Sequence, residues 1–573
     1  MEQVTVRMDE WFFTQGLVGY KKILESYGEK VQTTHDGIVV DKRHLKILAD
    51  AFFTYYLNHY NVASQEEQVL RRLHSQFKNG DTSVKKDLNG HIKDIKKEVG
   101  KYFSDIPEGK KLIEVADLYR KEKRYIAEMD QWINEFIENL NTTQINQMLT
   151  INSFKYNSKQ DSLKPYFGQV SFLNVTHNKK SLNEQKAIFY NDFIAPVFEE
   201  WKLWSALSDG NEEEIFEVLN TTSYKELNSL KRTLKKKSLE EMMDYINREV
   251  HQCSFTDFPI ALHYFEEGVF LPLALSLKNT NITWNVQGKL LPLCSLARLL
   301  IFCAQAGATR SQGKSIFVYY GGTFDEIYQT NQFYTDMKNP NKTFDEIVFD
   351  LVREQKVKAN FLQKHYLIFE YVSDIDTKKK KTLLDYTVMT PPIMKLFSMH
   401  GNLFNSIHYT IKGAFIRSLL QGRDPKHLIT NVLRNKIKNN YSTFEVIRMT
   451  QIRHLNQFYT KGEDANMDSS LQKRYVWALV KSAEEVKHHV GQKKAQGIAY
   501  RLLNAVRSND KHTFMDTVMR MYISCNKLQM PGLLLEVLHE DKMDFETVGN
   551  AWIAGLVSNS NDIKEGEKAD EQE

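Results

Sequence analysis

The hydrophobic positions along this chain predict helices over most of its length. Val476, Leu479 and Val480 begin an apolar face at i, i+3, i+4 spacing, which is typical of a helix packed on one side. Similar spacing recurs elsewhere, interrupted by few breakers: the chain has only 26 glycines and 11 prolines. Mainly helical structure is predicted for residues 8–60, 64–140, 183–205, 225–249, 258–265 and 393–557.

The best strand candidates lie in the middle of the chain. Ser315–Tyr320 and His365–Val372 are rich in β-branched and aromatic residues, and Trp284 is placed on a third strand. The stretch 141–180 is instead rich in Asn, Gln, Ser, Thr and Lys, and predicts loops with one short strand near 168–173.

These elements predict an α+β fold that is predominantly helical. A large mixed N-terminal domain with a small sheet is expected over residues 1–390, and Pro391-Pro392 marks its end. An all-α bundle follows over residues 391–557. Residues 558–573 are polar and acidic with no apolar period, which predicts a disordered tail.

Composition narrows the class of protein. The 573 residues include 76 basic and 72 acidic ones, so the net charge of +4 does not by itself imply a nucleic-acid partner. The four cysteines form no C-x-x-C pair, which argues against a zinc site or a disulfide framework. No secretory leader or bilayer-spanning stretch is visible, so we expect a cytoplasmic protein with no membrane partner, no metal and no cofactor.

Local charge is more informative than net charge. Residues 471–511 contain nine basic and three acidic residues, a net charge of +6, opposite an apolar helical face. Such a stripe suits contact with a nucleic-acid backbone, although a plain solvated face stays open. Another basic cluster, 231–237, is interpreted as an exposed helix face.

One short motif suggests phosphate binding. Ala308–Ser315 satisfies a relaxed phosphate-loop pattern ending in Gly313-Lys314-Ser315. A working phosphate loop follows a strand and opens a helix, because the helix N-terminus holds the phosphates. Here a helix is predicted before the loop and a strand after it, so an ATPase is not favoured. A nucleotide-binding enzyme built on this loop is kept as an alternative, and so is a helical scaffold that binds no nucleic acid.

Three groups of short strings resemble a known family, the large subunits of type I-B CRISPR Cascade complexes. The first is the opening Asp9-Glu10-Trp11-Phe12-Phe13-x-x-Gly16-Leu17-x-Gly19, and the second is Phe167-Gly168-Gln169-Val170-Ser171-Phe172-Leu173-Asn174. The third is the C-terminal series Ala499-Tyr500-Arg501-Leu502-Leu503-Asn504-Ala505, Met519-Arg520-Met521-Tyr522 and Val548-Gly549-Asn550-Ala551-Trp552-Ile553-Ala554-Gly555-Leu556. They are packing strings rather than catalytic ones, and are spread over nearly the whole chain.

This resemblance implies a non-catalytic subunit that sits at the crRNA 5′ end of the complex. It would read the protospacer-adjacent motif on double-stranded DNA, assist duplex opening and recruit the helicase-nuclease. Its C-terminal bundle would resemble the small subunits along the displaced strand, and Met449 or Met467 would be an internal start for a separate product. Implied partners are crRNA, target DNA and the other Cascade subunits.

For the function that the resemblance implies, the sequence offers two sets of candidate residues for contacts with nucleic acid. Amides, hydroxyls and lysines suit the reading of base edges, and basic side chains suit the backbone. The motif-recognition candidates are Lys155, Asn157, Gln169, Ser171, Asn174, Lys179 and Lys180. The backbone candidates are Arg310, Lys314, Lys473, Arg474, Lys487, Lys493, Lys494, Arg501 and Arg507.

Overall fold

The structure is a computed structural model, and its chain divides into two compact units. It describes residues 2–159, 173–222, 224–264, 292–311, 314–336, 349, 366–373, 382–461, 469–525 and 528–558. The first unit comprises Met1–Phe317, Gly322–Asn331 and Phe369–Asp385; the second comprises Val318–Gly321, Gln332–Ile368 and Tyr386–Glu573. The predicted domain boundary after residue 390 stays a prediction, and the predicted tail lies outside the described residues except for Ser558.

The first unit opens with a small antiparallel sheet. Its strands are β1 (Gln3–Arg7), β2 (Thr33–Thr34) and β3 (Gly37–Asp41), in the order β1-β3-β2, with Gln3 opposite Asp41 and Arg7 opposite Gly37. The helices of the following stretch are α1 (Trp11–Ser26), α2 (Lys42–Tyr60), α3 (Val62–Lys78), α4 (Lys85–Tyr102), α5 (Pro107–Lys121), α6 (Glu128–Leu140) and α7 (Thr143–Lys159). The sequence did not predict β1–β3, because strands of two to five residues carry little periodic signal.

The rest of this unit is again mainly helical. Its elements are α8 (Leu182–Phe189), α9 (Ala195–Ser208), α10 (Glu212–Thr221), α11 (Lys225–Leu234), α12 (Leu239–Glu249), β4 (His263–Tyr264), β5 (Pro292–Leu293), α13 (Ser295–Phe302) and α14 (Ala304–Gly307). Next along the chain come β6 (Thr309–Ser311), β7 (Lys314–Tyr320), α15 (Phe324–Asp336), β8 (Tyr366–Ser373) and β9 (Thr382–Met389), of which β6–β9 form a sheet in chain order. The division between the two units passes within β7, α15, β8 and β9. The strands expected at 315–320 and 365–372 are confirmed as β7 and β8, whereas the one at Trp284 lies outside the described residues.

Two expectations for the first unit are wrong. The stretch predicted as loops from 141 forms α7, because Ile145, Met148 and Leu149 supply a buried apolar stripe beneath the amides. The helix predicted for 258–265 is replaced by irregular chain ending at β4. Pro259 lacks a backbone N–H and restricts the residue before it, which disfavours a helix there.

Helix α1 packs unusually close to α13 and α14. Glu10 begins the helix by accepting hydrogen bonds from the backbone N–H groups of Phe12 and Phe13 at 2.8 and 2.5 Å. Gly16 and Gly19 then lie directly against backbone atoms of Leu300 and Cys303. The side chain of Gln15 crosses the same contact and donates to the carbonyl oxygen of Ala304 at 2.6 Å.

We expect Gly19→Ala to lower the free energy of unfolding by about 1–3 kcal/mol, because its methyl group would overlap the carbonyl oxygen of Cys303. Gly90→Ala on α4 is the matched control. Nothing lies within 4 Å of a methyl group there, so the better helix propensity of alanine should raise stability by up to about 1 kcal/mol. Denaturant unfolding of both variants measures the difference. Equal values would contradict the close packing of α1.

The second unit is a helical bundle around its last helix. Its helices are α16 (Pro391–His400), α17 (Tyr409–Leu420), α18 (Lys426–Asn439), α19 (Phe444–Lys461), α20 (Ser469–Val490), α21 (Gln492–Arg507), α22 (Lys511–Ser524), α23 (Glu536–His539) and α24 (Phe545–Val557). Every residue of α24 except Glu546 is buried, and α19, α20 and α21 pack around it. The predicted fold class, a predominantly helical α+β protein, is confirmed.

Among the described helices, none has the length and hydropathy needed to cross a bilayer.

Candidate nucleic-acid interface

Helix α21 has a basic face whose positive charge is not balanced by any acidic residue of the same helix. It follows Gly491, whose φ of +81° suits a glycine, and it contains no Asp or Glu from Gln492 to Arg507. Ala499, Leu502 and Val506 are buried on the side that packs against α24. The helix is therefore anchored by its apolar side, and its charged side is directed outward.

Four cations and one aromatic side chain form the α21 basic face: Lys493, Lys494, Tyr500, Arg501 and Arg507, all of which are exposed. The positions 493, 500 and 507 recur every two turns and so share one stripe. No described carboxylate lies within ion-pair distance of any of the four cations. Such a face can contact successive phosphates, and Tyr500, which is 38% exposed, can stack on a base.

The candidates on α20 behave differently from those on α21. Arg474 is exposed and Lys473 is half-buried. Lys487 is buried: its Nζ donates to the backbone carbonyl oxygen of Ser558 at 2.7 Å and lies 4.0 Å from Glu484. The Lys487 ammonium therefore ties α20 to the end of α24, and is not presented to a phosphate.

Lys155, one of the candidates for motif recognition, lies inside the first unit. The side chain is 1% exposed, and its Nζ donates to Oδ1 of Asn178 at 3.2 Å. Nδ2 of Asn178 in turn donates to the hydroxyl oxygen of Tyr102 at 3.2 Å. Burial lowers the pKa of Lys155 to about 7. These bonds join the end of α7 to the turn at 173–180, so the two parts of the candidate segment meet.

The other described motif-recognition candidates lie on that turn. Oδ1 of Asn174 accepts from the backbone N–H and the hydroxyl of Thr176 at 3.0 and 2.9 Å, a local turn motif. Lys179 is exposed, and Nζ of Lys180 lies 3.4 Å from Glu184. The backbone of Asn157 belongs to α7, whereas its side chain, together with Gln169 and Ser171, lies outside the described residues.

Helix α7 also lines a cleft of about 260 Å³ that contains no charged residue in its walls. Oδ1 of Asn146 accepts from the backbone N–H of Ala63 at 3.1 Å, and Oδ1 of Asn61 accepts from that of Ser64 at 3.0 Å. These bonds to the start of α3 fix the side-chain amides of Asn146 and Asn61 in the cleft. Asn58 and Gln147, also in the walls, make no hydrogen bond to a described residue. This amide cleft offers neutral donors and acceptors of the kind that read base edges.

The Ala308–Ser315 motif spans β6 and the start of β7. Strands β6 and β7 pair antiparallel, with Arg310 opposite Ser315 and Ser311 opposite Lys314. A phosphate loop needs a helix N-terminus after it, and here β7 follows instead. The side chains of Arg310 and Lys314, and residues 312–313, lie outside the described part of the chain.

No protein-family model, curated protein or solved structure matches this chain.

A buried polar cluster in the first unit was not predicted from the sequence. The Glu200 carboxylate accepts from the backbone N–H and hydroxyl of Ser295 at 2.6 and 2.7 Å, and burial raises the pKa of Glu200 to about 8. His263 Nε2 lies 3.2 Å from the Ser295 hydroxyl oxygen. A catalytic relay would join the carboxylate to the imidazole. Here Glu200 instead caps the start of α13, which is a structural role.

A second polar cluster, around the buried Arg453 in the second unit, was likewise not predicted from the sequence. Its guanidinium joins Asp424 and Asp544, which are 29 and 91 positions away along the chain. No local pattern marks such partners. In the described part of the chain, no three His, Cys, Asp or Glu side chains are grouped as metal ligands would be.

Proposed function

We propose that this chain is the non-catalytic large subunit of an RNA-guided CRISPR surveillance complex of the Cascade type. It would recognise the protospacer-adjacent motif on double-stranded DNA, assist duplex opening and stabilise the displaced strand. Its partners would be crRNA, the other Cascade subunits and the helicase-nuclease. The short strings that resemble the type I-B large subunits support the assignment to this class.

The observation that carries the nucleic-acid part of the proposal is the α21 basic face. Four exposed cations stand on one helix that has no acidic residue, beside an exposed tyrosine. This arrangement favours contact with a phosphate backbone whatever its sequence, as a protein needs when a guide RNA supplies most of the specificity.

Motif reading is assigned to the first unit, for a separate reason. The turn at 173–180 carries the exposed Lys179 and the half-buried Lys180, and α7 contributes to the neutral amide cleft. A reader of a few base pairs needs only a handful of such groups, because each base edge offers one or two hydrogen bonds in the groove. The hairpin geometry at Ala308–Ser315 gives no support to the alternative of a nucleotide-binding enzyme.

The decisive experiment is to purify the tagged protein from its native cell and sequence the RNA that accompanies it. We expect short RNAs that share one repeat-derived 5′ handle and differ in their central sequence. A tagged Lys493, Lys494, Arg501 and Arg507 to glutamine variant is the matched control. It should keep the RNA, which the whole complex holds, and lose target DNA. A soluble complex with no RNA, or with bulk ribosomal RNA only, would contradict the proposal.

A further inference from the structure

The described chain ends close to the start of the α21 basic face. Its last residue, Ser558, follows α24, and the carbonyl oxygen of Ser558 accepts from Nζ of Lys487 at 2.7 Å. Lys487 lies in the last turn of α20, and its own carbonyl oxygen accepts from the backbone N–H of Gly491 at 2.9 Å. The carbonyl oxygen of Gly491 in turn accepts from the N–H of Ala495, in the first turn of α21, at 3.0 Å. A short series of hydrogen bonds therefore joins Ser558 to the beginning of this helix.

The packing of α24 indicates the direction from which the chain arrives at α21. A methyl group built on Gly549, in the first half of α24, would overlap the side chain of Val506, near the end of α21. At the other end of α24, Ser558 lies beside the junction between α20 and α21. The two helices therefore run antiparallel, and a chain that continues from Ser558 starts nearer to Lys493 than to Arg507. All of these residues belong to the second unit.

The residues that follow Ser558 have the opposite charge from the α21 basic face. Residues 559–573, which we call the acidic segment, contain six acidic and two basic residues, a net charge of −4. The α21 basic face carries four exposed cations, and no described carboxylate lies within ion-pair distance of any of them. Opposite charges of equal size on neighbouring parts of one chain attract each other. The acidic segment is therefore complementary in charge to the face.

The acidic segment is also long enough to cover the whole face. A helix rises about 1.5 Å per residue, so the 16 residues of α21 span about 24 Å. The 15 residues of the acidic segment reach up to about 50 Å when fully extended. The first of its carboxylates, Asp562, stands four residues after Ser558, and the last stands at Glu573. Its negative charge is therefore spread over a length that matches the helix.

We infer that the acidic segment covers the α21 basic face while the chain holds no nucleic acid, and that nucleic acid must displace it. Carboxylates along an extended chain resemble the phosphates of a strand, since both are anions that accept from Lys and Arg. Each exposed ion pair is weak, but attachment to α24 gives the segment a local concentration of about millimolar, as short linkers do. The docking of the segment is independent of the proposed function, whereas its displacement by nucleic acid rests on that function.

The first test asks where the acidic segment lies when no nucleic acid is present. A carbodiimide joins carboxylates to lysine amines in direct contact, and mass spectrometry of the treated full-length chain identifies the linked peptides. We expect links from the acidic segment to Lys493 and Lys494 at about 50 mM salt, and a severalfold lower yield at about 500 mM salt, where exposed ion pairs are screened. Lys235 and Lys236, exposed lysines just after α11, are the matched control. Absence of links to Lys493 and Lys494, or an equal yield at the control lysines, would overturn the inference.

The second test asks whether the acidic segment competes with nucleic acid. In a full-length variant its six acidic residues are replaced by the corresponding amides: Asp562→Asn, Glu565→Gln, Glu567→Gln, Asp570→Asn, Glu571→Gln and Glu573→Gln. A face that is covered about nine-tenths of the time loses about tenfold in apparent affinity, so this amide variant should bind labelled duplex DNA about tenfold more tightly than the unmodified chain. Fluorescence anisotropy at constant salt measures both affinities.

A change in net charge would by itself tighten binding to DNA, so the same six substitutions are also made in the Lys493, Lys494, Arg501 and Arg507 to glutamine variant. There the acidic segment has no cationic face to cover, and the gain in affinity should vanish. A gain of equal size in both backgrounds would overturn the inference, because the segment would then act through net charge alone.

The two tests also separate this inference from the proposed function. Equal binding of DNA by the amide variant and the unmodified chain would overturn the displacement and leave the proposed function standing. Links to Lys493 and Lys494 in a chain that binds no DNA, with or without the amide substitutions, would support the docking and overturn both the displacement and the proposed function.

Discussion

Replacing Lys493, Lys494, Arg501 and Arg507 together by glutamine should weaken binding to DNA of every sequence, by a factor about 100 times larger at about 50 mM than at about 200 mM salt. Each phosphate contact contributes about −0.9 to the slope of log affinity against log salt, so four contribute about −3.6, or about 100-fold between about 50 and 200 mM salt. The variant should therefore also show a slope that is flatter by about 3.6. Titration of the chain with duplex DNA at several salt concentrations measures both values.

The matched control removes the same charge from another helix. Lys231, Arg232, Lys235 and Lys236 form a basic cluster at the end of α11 and just after it, in the first unit. Their replacement by glutamine should leave the affinity and the slope close to those of the unmodified chain. If both variants lose affinity for DNA equally, the loss comes from the change in net charge, and the α21 basic face has no special role. Lys487 is left out of the set because it bonds Ser558 inside the fold.

Arg453→Met should lower the free energy of unfolding by about 3–5 kcal/mol at neutral pH, because it leaves two acidic groups in a partly buried site without their counter-charge. Arg520→Met is the control. Arg520 also bonds an aspartate, Asp516 at 3.0 Å, but its side chain is 76% exposed, so its loss should cost under about 1 kcal/mol. Denaturant unfolding measures both. A cost for Arg453→Met as small as that of the control would show that the cluster does not hold the bundle together.

The same cluster predicts an acid-sensitive stability. Burial by itself would raise the pKa of Asp544 in the folded chain, but the hydrogen bonds and charge of Arg453 hold it below its usual range. The ionised carboxylate therefore stabilises the folded chain at every pH at which Asp544 is also ionised in the unfolded chain. Protonation of the unfolded chain begins at a higher pH than that of the folded chain. Stability is therefore lost as the pH falls below about 4, the usual pKa of an aspartate. Arg453→Met should flatten this decline, as unfolding curves at several acidic pH values would show.

Periodic apolar spacing predicts much of this fold because helices are local. The face that begins at Val476 and Leu479 is buried in α20, and the β-branched run at 315–320 lies in β7. At α7 the composition and the apolar spacing predict different structures. Amides and hydroxyls predict loops from 141 onward. Ile145, Met148 and Leu149, at i, i+3 and i+4, nevertheless give α7 an apolar side that packs into the core.

The sequence alone determined the helical class, the basic character of α21 and the absence of acidic residues along that helix, since each is a property of neighbouring residues. Only the tertiary structure decided which lysines reach solvent. The sequence does not distinguish Lys155 and Lys487 from the exposed Lys493. In the fold, however, Lys155 donates to Asn178 and Lys487 donates to Ser558. The structure likewise decided that Asp424, Arg453 and Asp544 form one cluster. Burial and ion pairing depend on partners far away in the chain, and spacing along the sequence carries no record of them.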